Sequence, residues 1–153
     1  MFTLNSPSLL ILFAVSAMSN SNPKDGFGAD KEKVVRDAVY NNDPQTVSLK
    51  RDFQSVLVIP KPLAGLYKAH PKPVVDVLLK VIDGGRPEDS VLAAGYAIEL
   101  LDGPGGGLLC VEMFYTDKDA KANYDIVDED WEMTPRQHWV KKIQEKMLAR
   151  KAP

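Results

Sequence analysis

The chain of 153 residues is long enough to bury one hydrophobic core, and its 44% hydrophobic and 26% charged residues are typical of a globular domain. Its 19 basic and 21 acidic side chains give a net charge of -2. This balance argues against nucleic acid as a partner, because phosphate binding requires a basic excess. The single cysteine, Cys110, cannot form an intrachain disulfide and lies in an apolar segment where burial is expected.

The first 17 residues have features of a signal peptide. An unbroken apolar run, LLILFAV, is followed by Val15-Ser16-Ala17, whose small residues suit signal peptidase. The run is far shorter than the roughly 20 residues that cross a bilayer, so no integral membrane segment is predicted. Cleavage after Ala17 would place the protein in the periplasm or outside the cell. Residues 1–8 hold no Lys or Arg, which counts against export, although the apolar run and the cleavage-like site occur in the right order for it. The alternative is that translation starts at Met18 and the protein is cytoplasmic.

Residues 18–29 are polar and predict a flexible lead-in, so that 30–153 would form a single helical domain. A first helix is predicted over 31–41, capped by Asp30. A second is predicted from Pro44, with an apolar stripe of Leu49, Phe53, Val56 and Leu57. Its β-branched end, 56–59, would also suit a strand. A short helix follows over 62–69.

The stretch from Pro73 to Asp102 predicts a helical hairpin. In its first helix, 73–83, the polar residues Asp76, Lys80 and Asp83 form one narrow stripe. A helix so apolar is expected in the interior of a bundle, with the other helices around it. Gly84-Gly85 end that helix and Pro87 starts the next. The small residues of the second helix, Ala93, Ala94, Gly95 and Ala97, should let a neighbour approach closely.

After the glycine-rich turn at 103–107, residues 108–115 are compatible with a helix or a strand. Residues 116–133 predict a long polar surface loop with at most one helical turn. The last helix begins at a capping box, Thr134 to Gln137, with Pro135 in its first position. Its expected buried stripe is Val140, Ile143 and Met147. These elements together predict an all-α fold, either a small bundle or a short α-solenoid of about six to seven helices.

The hairpin resembles those of HEAT and armadillo repeats. Val34-Val35 recurs as Val74-Val75 and Pro44 as Pro87, at offsets of 40 and 43 residues. Both offsets lie near the period of about 40 to 47 residues of these families. The order of an apolar helix, a tight turn and PEDSV at 87–91 is similar to a HEAT hairpin, but Leu92 stands where the family usually has Arg. The resemblance covers roughly 70 residues in two copies and implies a helical interaction module.

The sequence predicts no catalytic, cofactor or metal site. Neither His70 nor His138 has a second His or Cys at ligand spacing. The glycine-rich turn lacks the Lys-Ser/Thr pair of a phosphate loop. A calcium loop over 117–128 is disfavoured, because Lys121 takes a ligand position and Ala122 replaces the required glycine.

The acidic residues of the long loop are the best candidate for a functional surface. The candidate residues are Asp125, Asp128, Glu129, Asp130 and Trp131, with Glu132 beside them and a basic helix carrying Arg136, Lys141, Lys142, Lys146 and Arg150 after them. Tryptophan is a common interface anchor. Alternatively, the charges are merely solvated and Trp131 and Trp139 fill the core.

These observations favour a non-catalytic interaction module with an unidentified protein partner. Two other classes stay open. One is a small exported inhibitor or immunity-type protein that binds through the acidic loop. The other is an enzyme whose residues are scattered along the chain, with 116–133 as a lid.

Overall fold

The computed structural model describes residues 26–42, 48–51 and 54–151. Within them the elements are α1 (Ala29–Tyr40), β1 (Ser48–Arg51), β2 (Gln54–Leu57), α2 (Lys61–Ala69), α3 (Pro71–Gly84), α4 (Pro87–Asp102), α5 (Gly106–Thr116) and α6 (Pro135–Lys151). Six helices therefore dominate the described residues, which confirms the predicted all-α class. The predicted signal peptide at 1–17 lies outside the described residues. No helix in the described part is long and apolar enough to cross a bilayer.

Helix α4 is the most enclosed element of the bundle. It contacts α3, α5, α6 and β2, and all its residues from 89 to 99 are buried. The sequence pattern predicts α3, not α4, as the central helix. Helix α3 does bury the six apolar residues Val74, Val75, Val77, Leu78, Val81 and Ile82, but its polar stripe stays outside the core. Helix α4 takes the centre because its small side chains admit neighbours on more than one side.

Helices α4 and α5 touch through glycines. A Cβ on Gly107 would overlap the carbonyl oxygen of Gly95, and a Cβ on Gly95 would lie 2.8 Å from Val111 Cγ2. The buried Glu99 carboxylate accepts hydrogen bonds from the backbone nitrogens of Gly105 at 3.1 Å and Gly107 at 3.0 Å. These N–H groups lie at the start of α5, where a helix has no internal acceptors for them. The close approach predicted for α4 is thus realised against α5.

The predicted helix from Pro44 is wrong where it can be checked. Residues 48–51 and 54–57 instead form an antiparallel hairpin in which Ser48 pairs with Leu57 and Arg51 with Gln54. Residues 43–47 and 52–53 lie outside the described part. The β-branched end of the segment favours extended backbone. The hairpin also brings Leu57, which is 3% exposed, close to the surface that Gly95 leaves open on α4.

The structure of the C-terminal half decides between helix and strand for residues 108–115 and shows the form of the polar loop after them. Residues 106–116 form a helix rather than a strand. Residues 117–134 form successive turns with one isolated bridge between Asp128 and Met133. The predicted capping box is confirmed, since Gln137 N donates to Thr134 Oγ1 at 3.1 Å and Thr134 N donates to Gln137 Oε1 at 2.9 Å. Of the expected stripe of α6, Ile143 is fully buried and Val140 and Met147 are half-buried.

Candidate functional site: an anchored acidic loop

The loop that follows α5 is anchored to the bundle by a buried tyrosine. Tyr124 is 2% exposed, and its ring meets that of Phe114 edge to face with centroids 5.6 Å apart. Its hydroxyl lies 2.8 Å from Ser90 Oγ, which itself donates to the carbonyl oxygen of Ile82 at 2.6 Å. The tyrosine hydroxyl is therefore the donor to Ser90. Burial raises the pKa of Tyr124, so this donor keeps its proton.

Arg136, in the first turn of α6, makes the second anchor. Its Nη1 donates to the carbonyl oxygens of Ile82 and Gly85, both at 2.7 Å, at the end of α3. Its Nε and Nη2 hold the Asp125 carboxylate at 2.7 and 3.1 Å, and its guanidinium lies 5.2 Å from the centre of the Tyr124 ring. This contact lowers the pKa of Asp125 and raises that of Arg136. A cation at the carboxyl end of α3 also suits the helix dipole.

A third tie joins the loop to the start of α4. Lys121 Nζ lies 2.7 Å from Glu88 Oε2, and this hydrogen bond lowers the pKa of Glu88. The loop is thus fastened at 121, 124 and 125 before it reaches its exposed turn. A segment held in this way loses little conformational entropy when a partner binds it.

The exposed turn at 128–133 is closed by its own backbone. Asp128 N donates to the Met133 carbonyl at 2.9 Å, and Glu132 N donates to the Asp128 carbonyl at 2.7 Å. Asp128 Oδ1 accepts from the nitrogens of Asp130 at 2.8 Å and Trp131 at 3.3 Å. Glu132 takes a positive φ of 59°, which L-residues rarely adopt. The carboxylate of Asp128 therefore shapes the turn as well as adding charge.

An open concavity of about 420 Å³ lies beside this turn and is lined by 126–130 with Asn123 and Pro135. We call it the acidic concavity. Ile126 and Val127 are 58% and 59% exposed. Asp128, Glu129 and Asp130 supply its negative charge. Among the described residues, none of these three carboxylates has a Lys, Arg or His nitrogen within 4.0 Å.

Trp131 lies next to the concavity without lining it. Its ring stacks on His138 with centroids 4.0 Å apart and planes at 13°, and His138 meets Trp139 edge to face at 5.1 Å. Trp131 is 37% exposed, so it does not fill the core. Burial, and then the nearby Lys142, lower the pKa of His138. The stack ties the exposed turn to α6.

The structure separates the five predicted surface residues by role. Asp128, Glu129 and Asp130 line the acidic concavity, whereas Asp125 is neutralised by Arg136 and Trp131 stacks on His138. Sequence reasoning missed Ile126 and Val127. The sequence does contain a signal for them, because two adjacent aliphatic residues between Asp125 and Asp128 are unusual in a polar surface loop.

The other residues considered for chemistry lie apart from this surface. Cys110 is 2% exposed, its Sγ lies 4.0 Å from the carbonyl oxygen of Val91, and burial raises its pKa, so it is held as a thiol. His70 lies between α2 and α3. Within the described ranges, no group of three or more His, Cys, Asp or Glu side chains is arranged to hold a metal ion.

The acidic concavity therefore presents apolar and acidic side chains to solvent on a loop whose backbone is anchored to the bundle. Comparison with known proteins adds no relative: no protein-family model, curated protein sequence or solved structure matches this chain.

Proposed function

We propose that this protein is a non-catalytic helical interaction module that binds a protein partner through the acidic concavity. The observation that carries the proposal is the exposure of Ile126 and Val127 on a loop that Tyr124 and Arg136 fasten to the bundle. Adjacent exposed aliphatic side chains gain free energy when a partner covers them. Because the loop is already anchored, little of that gain is lost in ordering it.

Photo-crosslinking tests this function in cells that make the protein. A diazirine amino acid replaces Val127 in the full chain, and the same amino acid replaces Lys68, exposed on α2, as the matched control. A discrete adduct is expected at 127 and not at 68. Adding Ile126→Ser to the 127 variant should remove the adduct. The partner, identified by mass spectrometry, should bind the purified wild-type chain. No adduct at 127, or equal adducts at both positions, would contradict the proposal.

We also propose that α3 and α4 form a HEAT-like hairpin. The adjacency of the two helices and the short turn at Gly85-Arg86 support this. The likeness of the first copy, which contains Val34-Val35 and Pro44, to a HEAT hairpin is weaker. A β-hairpin follows Pro44 where a HEAT repeat would need a second helix. At the position where the family usually has Arg, Leu92 is 1% exposed. The likeness therefore depends on one helical pair.

An inhibitor or immunity-type protein is the second candidate, favoured by the unpaired carboxylates of the acidic concavity within the described residues. Such proteins work by occupying a partner's functional site. The purified partner from the crosslinking experiment decides between the two: inhibition of that partner's own activity at equimolar ratio would select this candidate, and binding without inhibition would exclude it.

Export is the proposed route if residues 1–17 act as a signal peptide. Ala17→Arg removes the small residue at the cleavage point, so the unprocessed precursor should accumulate in the cells and the protein should disappear from the periplasm or medium. An unchanged product mass and a cytoplasmic location would instead indicate translation from Met18.

A further inference from the structure

We propose that the acidic concavity selects an arginine or lysine side chain flanked by apolar residues on the partner. This inference rests on the proposed function and names the chemistry of the partner segment. The juxtaposition that carries it is an exposed aliphatic pair, Ile126 and Val127, beside the carboxylates of Asp128, Glu129 and Asp130 around one concavity.

The aliphatic pair defines the apolar half of the contact. Ile126 and Val127 are each more than half exposed, and both line the concavity. Long cationic side chains carry apolar stems that pack on such surfaces while the charged head stays near water. The volume of about 420 Å³ is at the small end of ligand pockets and suits a few side chains rather than a whole helix.

The carboxylates define the charge of the occupant. Asp125, which precedes the concavity in the chain, is already paired with Arg136, whereas within the described residues Glu129 and Asp130 have no cation within 4.0 Å. An acidic or neutral apolar segment would bury or crowd these charges without compensation, whereas a cation pairs with them. Guanidinium matches a carboxylate in a two-bond geometry, so arginine is favoured over lysine.

Defined peptides test the inference on the purified full chain. The probe is a fluorescein-labelled octapeptide that alternates leucine and arginine, and two matched peptides carry citrulline or glutamate in place of arginine. Binding is followed by anisotropy and by amide shifts of ¹⁵N-labelled protein. We expect the arginine peptide to bind at least about tenfold more tightly than the citrulline peptide, to weaken with salt, and to shift amides in 123–135.

Two double variants separate local from overall charge. Glu129→Gln with Asp130→Asn should weaken binding of the arginine peptide by about tenfold. Glu112→Gln with Asp119→Asn makes the same change in net charge at exposed positions that do not line the concavity and should change affinity less than about twofold. Ile126→Ser with Val127→Ser should weaken binding at unchanged net charge. Asp128 is left intact because its carboxylate holds the turn.

Several outcomes would overturn the inference. They are equal binding of the arginine and citrulline peptides, equal effects of the two charge variants, amide shifts in 123–135 caused by calcium alone, and self-association by sedimentation that the Ile126→Ser, Val127→Ser variant abolishes. A specific crosslinked partner at 127 that binds without any charge preference would overturn this inference and leave the proposed function standing. Absence of a specific adduct at 127 would overturn the proposed function instead.

Discussion

At the scale of single residues, Arg136 joins more parts of the bundle than any other side chain described above. Its side chain is 13% exposed and contacts the end of α3 through Ile82 and Gly85, and the loop through Asp125 and Tyr124. These contacts combine hydrogen bonds from the edges of the guanidinium with packing of its face near the Tyr124 ring, a combination that the lysine ammonium cannot provide.

Arg136→Met should lower the free energy of unfolding by about 2 to 4 kcal/mol, because it leaves carbonyls and a carboxylate without their donor. Arg136→Lys should recover only part of this loss. Asp125→Asn should cost less, because the Asp125 side chain is 57% exposed. Urea denaturation measures all three variants. A loss for Arg136→Met below about 0.5 kcal/mol would show that the contacts contribute little.

Glu132 is the second residue at which substitutions should change stability clearly, because its φ of 59° is strained for an L-residue. Glu132→Gly should be neutral or stabilising by up to about 1 kcal/mol, because glycine adopts this conformation freely. Glu132→Val should destabilise by more than about 1 kcal/mol, since a β-branched residue tolerates positive φ least. Thermal unfolding of both variants tests the turn, and equal midpoints would argue against the positive φ.

At the scale of elements, the contact between α4 and α5 depends on an absence of side chains. Gly107→Ala would place a methyl group on the carbonyl oxygen of Gly95, so α5 must shift away from α4. We expect a loss of about 2 to 3 kcal/mol or more, the range of overpacked cores. The lost contact would also release the Glu99 carboxylate from the start of α5.

Gly84→Ala is the matched control, because nothing lies within 4 Å of a Cβ at that helical position of α3. Alanine's higher helix propensity should stabilise it by up to about 1 kcal/mol. Denaturant melts of the two variants should therefore move in opposite directions. A Gly107→Ala protein as stable as wild type would contradict the close helix approach.

At the scale of the whole molecule, acid should destabilise the fold in two stages. His138 has a lowered pKa from burial and from Lys142 and Lys141, with Glu145 opposing. The unfolded chain therefore takes up its proton first, and stability falls as the pH drops below about 6.5. Glu88 and Asp125 also have lowered pKa values, so their contribution is lost further down, below about pH 4.

Thermal midpoints measured from pH 8 to pH 3 should decline in both stages. His138→Asn should reduce only the decline of the midpoint that begins below about pH 6.5. Asp125→Asn should reduce the decline that begins below about pH 4. The effects of the two carboxylates should be modest, because the side chains of Glu88 and Asp125 are 31% and 57% exposed and partly exposed ion pairs contribute little. A midpoint that rises between pH 7.5 and pH 5.5 would contradict the lowered pKa of His138.

Features that depend on neighbours along the chain could be predicted from the amino-acid sequence. The capping box of Thr134 and Gln137, the thin helix α4 and the burial of Cys110 follow from spacings of a few residues or from local apolarity. The composition of residues 116–133 also predicts an acidic surface segment. Such signals are local because helix caps and helix faces are set within one or two turns.

Other features of the fold and of the acidic concavity depend on contacts between distant parts of the chain. The segment after Pro44 had a helical apolar stripe, yet its strand-favouring end and the space beside Gly95 selected a hairpin. In the sequence, Arg136 is one of several basic residues of a terminal helix. Its role depends on the hydrogen bond that it donates to the carbonyl oxygen of Gly85, 51 positions away. The exposure of Ile126 and Val127 likewise depends on how distant anchors hold the loop. Contacts between residues far apart in sequence decide these outcomes, and no local pattern encodes them.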